Sequence, residues 1–236
     1  VVEWLKKNKE EIAGCILGEP TNPNNLGEMI KIGRRGSYSG DLVVYGIQGH
    51  VGYPHLADNP INKILKMIEP LTKVSLDEGT VDFEPSTVMI TSIDDGNFSY
   101  NVIPSKVSLK FNVRFNNLHS SDSITKMLKK HFNTFQNKFD FTYYCNAEPF
   151  LTNPGHLIVS MEKAITQITK LTPQKSTTGG TSDARFIQDI CPVIEFGLVG
   201  KLMHKVDEKV PVEEVIKLKE IYENFLNIFF EDKKYD

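Results

Sequence analysis

The chain has 236 residues, 40% of them apolar and 24% charged, with a formal net charge of −3. That length and apolar content support a true core, in one large domain or two ordinary ones. Lysines and arginines are spread along the chain, which argues against a nucleic-acid or anionic-membrane surface, and no run approaches the ~20 apolar residues of a membrane-spanning helix.

Cys15, Cys145 and Cys191 are odd in number, far apart and outside any CxxC spacing, so they read as reduced thiols of a cytoplasmic protein. The chain opens on Val1-Val2-Glu3-Trp4-Leu5, without Met and in what reads as the middle of a helix over residues 1–8. The expectation is the larger remnant of a longer enzyme. Residues 12–17 form a short apolar strand, and Glu19-Pro20-Thr21-Asn22-Pro23-Asn24-Asn25 a Pro/Asn-rich loop. Glu19 therefore stands where a strand stops, the position at which α/β sheets collect ligands.

From Tyr38 the texture changes. Residues 41–47 alternate as a half-buried strand, and Asn59-Pro60 starts a helix with Ile61, Ile64, Leu65 and Ile68 at helical spacing. Strands follow over 87–93 and 107–115, then a helix over 121–135 and a strand over 139–146. The order β-α-β-β-α-β is that of a ferredoxin-like sandwich. It places an inserted α+β domain at 38–148, between a first part of an α/β main domain, 1–37, and its second part, 149–236. That second part holds a helix over 156–171, a glycine turn at Thr177-Thr178-Gly179-Gly180-Thr181-Ser182-Asp183 into a short helix, and a buried strand over 191–198. Pro211 opens a last amphipathic helix with Val215, Leu218, Tyr222, Phe225 and Phe229 along one face.

Taken singly, the polar candidates leave alternatives open. Glu19 reads as a metal ligand or a turn carboxylate, and His204 as a ligand or a surface histidine; one carboxylate and one imidazole do not complete a zinc site. Gly49-His50-Val51-Gly52-Tyr53-Pro54-His55 puts His50 at a strand end held by a turn, where it either meets a ligand or merely ends a hairpin. Gly33-Arg34-Arg35-Gly36-Ser37 suits an acidic substrate, because guanidinium recognises carboxylates through paired donors, or is a solvated basic loop. Asn101 offers an amide beside a rigid turn, and Arg114 ends a strand. Gly179-Gly180-Thr181-Ser182 offers N–H groups and hydroxyls to an anion, but it lacks the lysine and spacing of a nucleotide-binding loop.

Together these strings resemble the M20 metallopeptidase family: Gly18-Glu19-Pro20-Thr21, Ile30-Lys31-Ile32-Gly33-Arg34-Arg35-Gly36-Ser37, Gly46-Ile47-Gln48-Gly49-His50-Val51 with Tyr53-Pro54-His55-Leu56-Ala57, Asn101-Val102-Ile103-Pro104, Gly179 through Arg185, and Glu195-Phe196-Gly197 through His204. They stand in family order across nearly the whole chain. The resemblance implies a zinc-peptidase-like catalytic domain binding two zinc ions, incomplete at its start, and an inserted dimerisation domain that forms a homodimer. It implies Glu19 as a ligand of one zinc and His204 of the other. His50 would cross the dimer to support the oxyanion in the partner's site, with Asn101 approaching the same trans site. Arg34, Ser37, Arg114, Gly180, Thr181 and Ser182 would hold the carboxylates of a dicarboxylate amino-acid substrate. The arginine-glycine string and the Gly-Ile-Gln-Gly-His-Val-x-Tyr-Pro-His run favour the branch that hydrolyses N-succinyl-LL-2,6-diaminopimelate to succinate and LL-2,6-diaminopimelate. Another M20 amidohydrolase, such as an acetylornithine deacetylase, and a non-catalytic dimerisation module are the alternatives. The family's His-x-Asp motif, bridging Asp and Glu-Glu pair have no counterpart in these residues, so alone they are expected to be inactive. Gly200-Lys201-Leu202-Met203 also departs from the Asn-Ala-Thr type of turn usual before the histidine.

Overall fold

The computed structural model describes residues 1–231, and the chain divides into two units, Val1–Arg34 with Phe150–Asp236, and Arg35–Pro149. In the first unit α1 (Val2–Asn8) leads to β1 (Cys15–Leu17), β2 (Met29–Lys31) and β3 (Gly33–Arg34). The second unit carries β4 (Gly36–Tyr45), β5 (Gly49–His50), a 3-10 turn (Pro54–Leu56), α2 (Pro60–Lys73), β6 (Thr87–Asp94), β7 (Val102–Ile103), β8 (Lys106–Phe115), α3 (Ser121–Phe132) and β9 (Phe139–Ala147). The first unit resumes with β10 (Phe150–Leu151), α4 (His156–Thr169), β11 (Gln174–Ser176), α5 (Ala184–Ile187), β12 (Val193–Glu195) and α6 (Val212–Glu231).

The main sheet of the first unit has the order β1-β12-β2-β11, with β12 parallel to β1 and antiparallel to β2. On α4, Leu157, Ile158, Met161, Ala164 and Ile165 recur at helical spacing; on α6, Ile221, Phe225 and Phe229 do the same. Together they bury Ile30, Ile32, Ile194 and Phe196 of the sheet region. Burying each large side chain of this kind contributes roughly 1.5–3 kcal/mol. Val215, expected on that face, is instead 47% exposed, because six steps of ~100° from Ile221 turn it off the stripe. The strands expected over 12–17 and 191–198 pair only over three residues each, Cys15–Leu17 with Val193–Glu195.

The second unit's sheet has the order β6-β8-β4-β9 with every neighbour antiparallel, the ferredoxin-like arrangement, and β5 and β7 form a separate two-stranded ribbon. Tyr38, Leu42 and Val44 of β4 and Val107, Leu109, Phe111, Val113 and Phe115 of β8 share one core with Ile64, Met67 and Ile68 of α2 and Ile124, Leu128 and Phe132 of α3. β4 begins at Gly36, five residues before the alternation becomes legible. Gly36 and Gly40 break the pattern for a reason: a Cβ at either would collide with the ring of Phe115 or Phe111, which fills the space. Asn59 caps α2 by accepting the Ile61 N–H at 2.9 Å. Ser120 and Ser123 cap α3 reciprocally. α3 ends at Phe132 rather than 135, since the N–H groups of Thr134 and Phe135 tighten onto His131 and Phe132. Leu65, expected on the buried face of α2, is 45% exposed, one ~100° step away from Ile64. Among the described residues no helix is long and apolar enough to cross a membrane.

Candidate active site

In the first unit, the parallel pairing of β1 with β12 delivers two loops to the same sheet end. They are stitched together there. Asn22 Nδ2 donates to the Gly197 carbonyl at 2.6 Å, Asn22 N to the Leu198 carbonyl at 3.4 Å, and Gly200 N to the Asn22 carbonyl at 2.9 Å. Gly197 permits the close approach, since a Cβ would stand 2.5 Å from the Glu19 carbonyl oxygen. The result is a cleft of about 410 Å³ whose walls include Glu19, Lys31, Arg34, Gly180, Thr181, Ser182 and His204. All six candidates that fall in this unit line it. His204 has φ of +61°, uncommon for a non-glycine residue and a form of local strain that concentrates at functional sites.

The resemblance implies zinc at this cleft. Glu19 and His204 supply one carboxylate and one imidazole, and the described residues hold no group of three or more His, Cys, Asp or Glu able to bind an ion. These residues do not by themselves fit a zinc site, which takes four ligands or three and a water.

Arg34 is more fully engaged than its sequence setting implied. It is 11% exposed and forms an ion pair with Glu195, itself 1% exposed. The Arg34 Nε donates to both Glu195 oxygens at 3.1 Å, Nη2 donates to Oε2, and Nη1 donates to the Thr178 carbonyl at 2.9 Å. Ser182 Oγ donates to Glu195 Oε1. Gly179, with φ of +104°, passes so close that a Cβ would collide with Arg34 Nη1. Lys31, 7% exposed, donates to Ser176 Oγ at 3.0 Å and Thr178 Oγ1 at 2.8 Å. Sequence reasoning passed over Glu195 and Lys31 as site residues. The available signal was a charge inside each of two apolar runs, Met29-Ile30-Lys31-Ile32 and Val193-Ile194-Glu195-Phe196.

In the second unit, β5 pairs with β7 so that His50 opposes Val102, and the Val51 N–H donates to the Asn101 carbonyl at 3.0 Å. His50 and Asn101 thus share one exposed tip. The Gly52 N–H donates to His50 Nδ1 at 3.0 Å, so Nδ1 is the acceptor nitrogen and Nε2 carries the proton of the neutral ring, facing outward as a donor. At the other end of the sheet, Ser37 stands directly opposite Arg114 in the β4–β8 register, with Asn112 donating to Ser37 Oγ at 3.2 Å. Arg114 Nη1 and Arg35 Nε are buried without a hydrogen-bond partner. Burial, and then the like charge of Arg35, hold the Arg114 guanidinium below its usual range. Ser37 lies near the start of β4, whereas His50 and Asn101 lie at the β5–β7 ribbon that follows its other end in the chain; Ser37 to Tyr45 alone spans roughly 25 Å at the strand rise.

Residues 32–140 match the M20 peptidase dimerisation domain. Over 98% of its length the chain is 49% identical to the succinyl-diaminopimelate desuccinylases of Pelagibacter ubique and Xanthobacter autotrophicus, covering 61% and 62% of those proteins. It thus spans about three fifths of the length of the curated relatives it matches. Among solved structures, aminopeptidase PepT from Bacillus cereus superposes with a TM-score of 0.77 at 20% identity, over 97% of this chain and 60% of that one. The M20 family metallo-carboxypeptidase Sso-CP2 from Sulfolobus solfataricus gives 0.78 at 16% identity, over 97% and 66%. The chain therefore has the M20 peptidase-like α/β fold with its dimerisation domain, and it is a homologue of the succinyl-diaminopimelate desuccinylases.

Proposed function

We propose that this chain supplies the substrate-holding and trans-acting groups of a zinc-dependent amidohydrolase that cleaves N-succinyl-LL-2,6-diaminopimelate to succinate and LL-2,6-diaminopimelate. The observation that carries the reading is the 44–49% identity to proteins of that name across 98% of the chain. The gathering of all six first-unit candidates in one cleft supports it. Glu19 and His204 are proposed as one ligand each of two zinc ions, the remaining ligands coming from outside these residues. The substrate's carboxylates are held by Arg34, Gly180 and Thr181 at the cleft and by Ser37 and Arg114 on the sheet of the second unit. His50 donates its Nε2 proton to the oxyanion, and Asn101 stands beside it. Such a donor is commonly worth about 3–4 kcal/mol in the transition state.

A homodimer through the second unit is part of the same proposal, supported by the match of residues 32–140 to the M20 peptidase dimerisation domain. In this reading His50 and Asn101, at the β5–β7 ribbon apart from Ser37 and Arg114, serve the other copy's site. A cytoplasmic setting completes the proposal, in keeping with three free cysteines. The experiment is a pair of assays on the full-length gene product with zinc, using succinyl-diaminopimelate and N-acetylornithine. Release of succinate but not acetate is expected, and the opposite preference overturns the substrate assignment. The chain of 236 residues alone is expected to release neither. The trans arrangement is checked by mixing H50A and H204A enzymes. A cis donor restores nothing, whereas a trans donor restores about a quarter of wild-type activity through mixed dimers with one intact site.

A further inference from the structure

The resemblance places Ser182 among the carboxylate-binding residues, yet its hydrogen bonding gives it the opposite polarity. A hydroxyl has one proton and two lone pairs. The proton of Ser182 is directed at Glu195 Oε1, and the Glu195 oxygens also accept from Arg34 Nε at 3.1 Å and from Arg34 Nη2. Glu195 is 1% exposed, so water offers it no replacement donor and the proton stays where it is. Toward the cleft that Ser182 lines, its oxygen presents lone pairs only. A carboxylate, itself only an acceptor, gains nothing from that oxygen. An ammonium group does. The charge of Arg34, on the same cleft, is offset at contact distance by Glu195.

The geometry points to Ser182 as an acceptor for the free α-ammonium of an amino-acid ligand, with Glu195 as the positioning residue that keeps the Ser182 proton out of the cleft and holds Arg34 against the 178–182 turn. This deepens the reading above and rests on it: a diamino dicarboxylate acylated at one end retains one free α-ammonium, and this is the group that Ser182 receives. The pocket thereby sorts amino acids from plain dicarboxylates of the same length.

The test is calorimetric titration of the full-length gene product with LL-2,6-diaminopimelate and with pimelate, which has the same carbon chain and carboxylates but no amines. The wild-type protein is expected to favour diaminopimelate. Ser182→Ala should reduce that preference about tenfold, the weight of one hydrogen bond to a charged group, with pimelate affinity unchanged. Ser182→Thr keeps the hydroxyl and should restore the preference. Glu195→Gln removes the countercharge of Arg34 and should tighten pimelate, whereas a merely structural role for Glu195 weakens both ligands together. An unchanged preference in Ser182→Ala, or loss of both ligands in parallel in Ser182→Ala and Glu195→Gln, overturns the inference and leaves the proposed reaction standing. Failure of the full-length gene product with zinc to bind either diaminopimelate or its succinyl derivative removes the proposed substrate class, and this assignment with it.

Discussion

Replacing Glu195 by Ala should cost the first unit about 3–5 kcal/mol, the usual price of leaving one member of a buried ion pair without its partner. The structure sets that magnitude. Arg34 and Glu195 are 11% and 1% exposed, so solvent screens the pair little. Removing the carboxylate strands the Arg34 Nε and Nη2 donors and the Ser182 hydroxyl, while packing against Gly179 and the bond to the Thr178 carbonyl hold the guanidinium in place. Glu195→Gln keeps the shape and one acceptor, and should cost about half as much. The double variant Arg34→Met/Glu195→Met should recover most of the loss, because a buried pair exchanged for apolar groups of similar volume is close to neutral. Urea unfolding with hydrogen exchange followed at Ile30, Lys31 and Ile194 reads the effect in the unit concerned. A cost below about 1 kcal/mol for Glu195→Ala, or a double variant no more stable than the single one, refutes the claim that this pair is buried and mutually dependent.

Adjacent glycines of the same turn should respond differently. Gly179→Ala meets both a φ of +104° and Arg34 Nη1 and should cost about 1–3 kcal/mol, while Gly180→Ala meets nothing within 4 Å and should stay within about 0.5 kcal/mol of wild type; thermal midpoints compare them. In the second unit, burial pushes the Tyr38 hydroxyl up to about 12, despite its bond with Thr125 Oγ1. A folded-state value above the unfolded one favours the neutral form, so this contribution is complete below about pH 10 and is lost as pH rises toward 12. About 2–3 kcal/mol of stability should disappear across that window and be largely retained in Tyr38→Phe, as measured by urea midpoints at pH 9, 10.5 and 11.5.

The parts of this fold that were legible are those whose signal is local. Strands β8 and β9 and helices α2, α3, α4 and α6 carry their hydrophobic period within a single segment, and the β-α-β-β-α-β order follows from them. The short strands β2, β3, β5, β7, β10 and β11 carry none. Lys31 is a strand residue because it meets Ser176, 145 positions away, and Gly33 because it meets Leu151. Such pairings are settled by tertiary contact. The site divides along the same line. Glu19, His50 and the Gly179–Ser182 turn are marked by neighbouring Gly and Pro, whereas Glu195 and Lys31 sit in apolar runs and acquire meaning only when β12, β2 and β11 lie side by side.

That contrast also explains why Arg34 and Arg114 part company, although both are arginines matched to carboxylate recognition. Arg34 has a buried counterion on the central strand β12, so its charge is largely offset within the fold while it holds a turn and lines the cleft. Arg114 has Ser37 opposite and Arg35 beside it; Arg35 has only an exposed Glu84 at 3.5 Å. Asn112 donates to Ser37 Oγ, which frees the Ser37 proton, the reverse of the arrangement at Ser182. One serine therefore presents a donor beside an uncompensated guanidinium, and the other an acceptor beside a neutralised one.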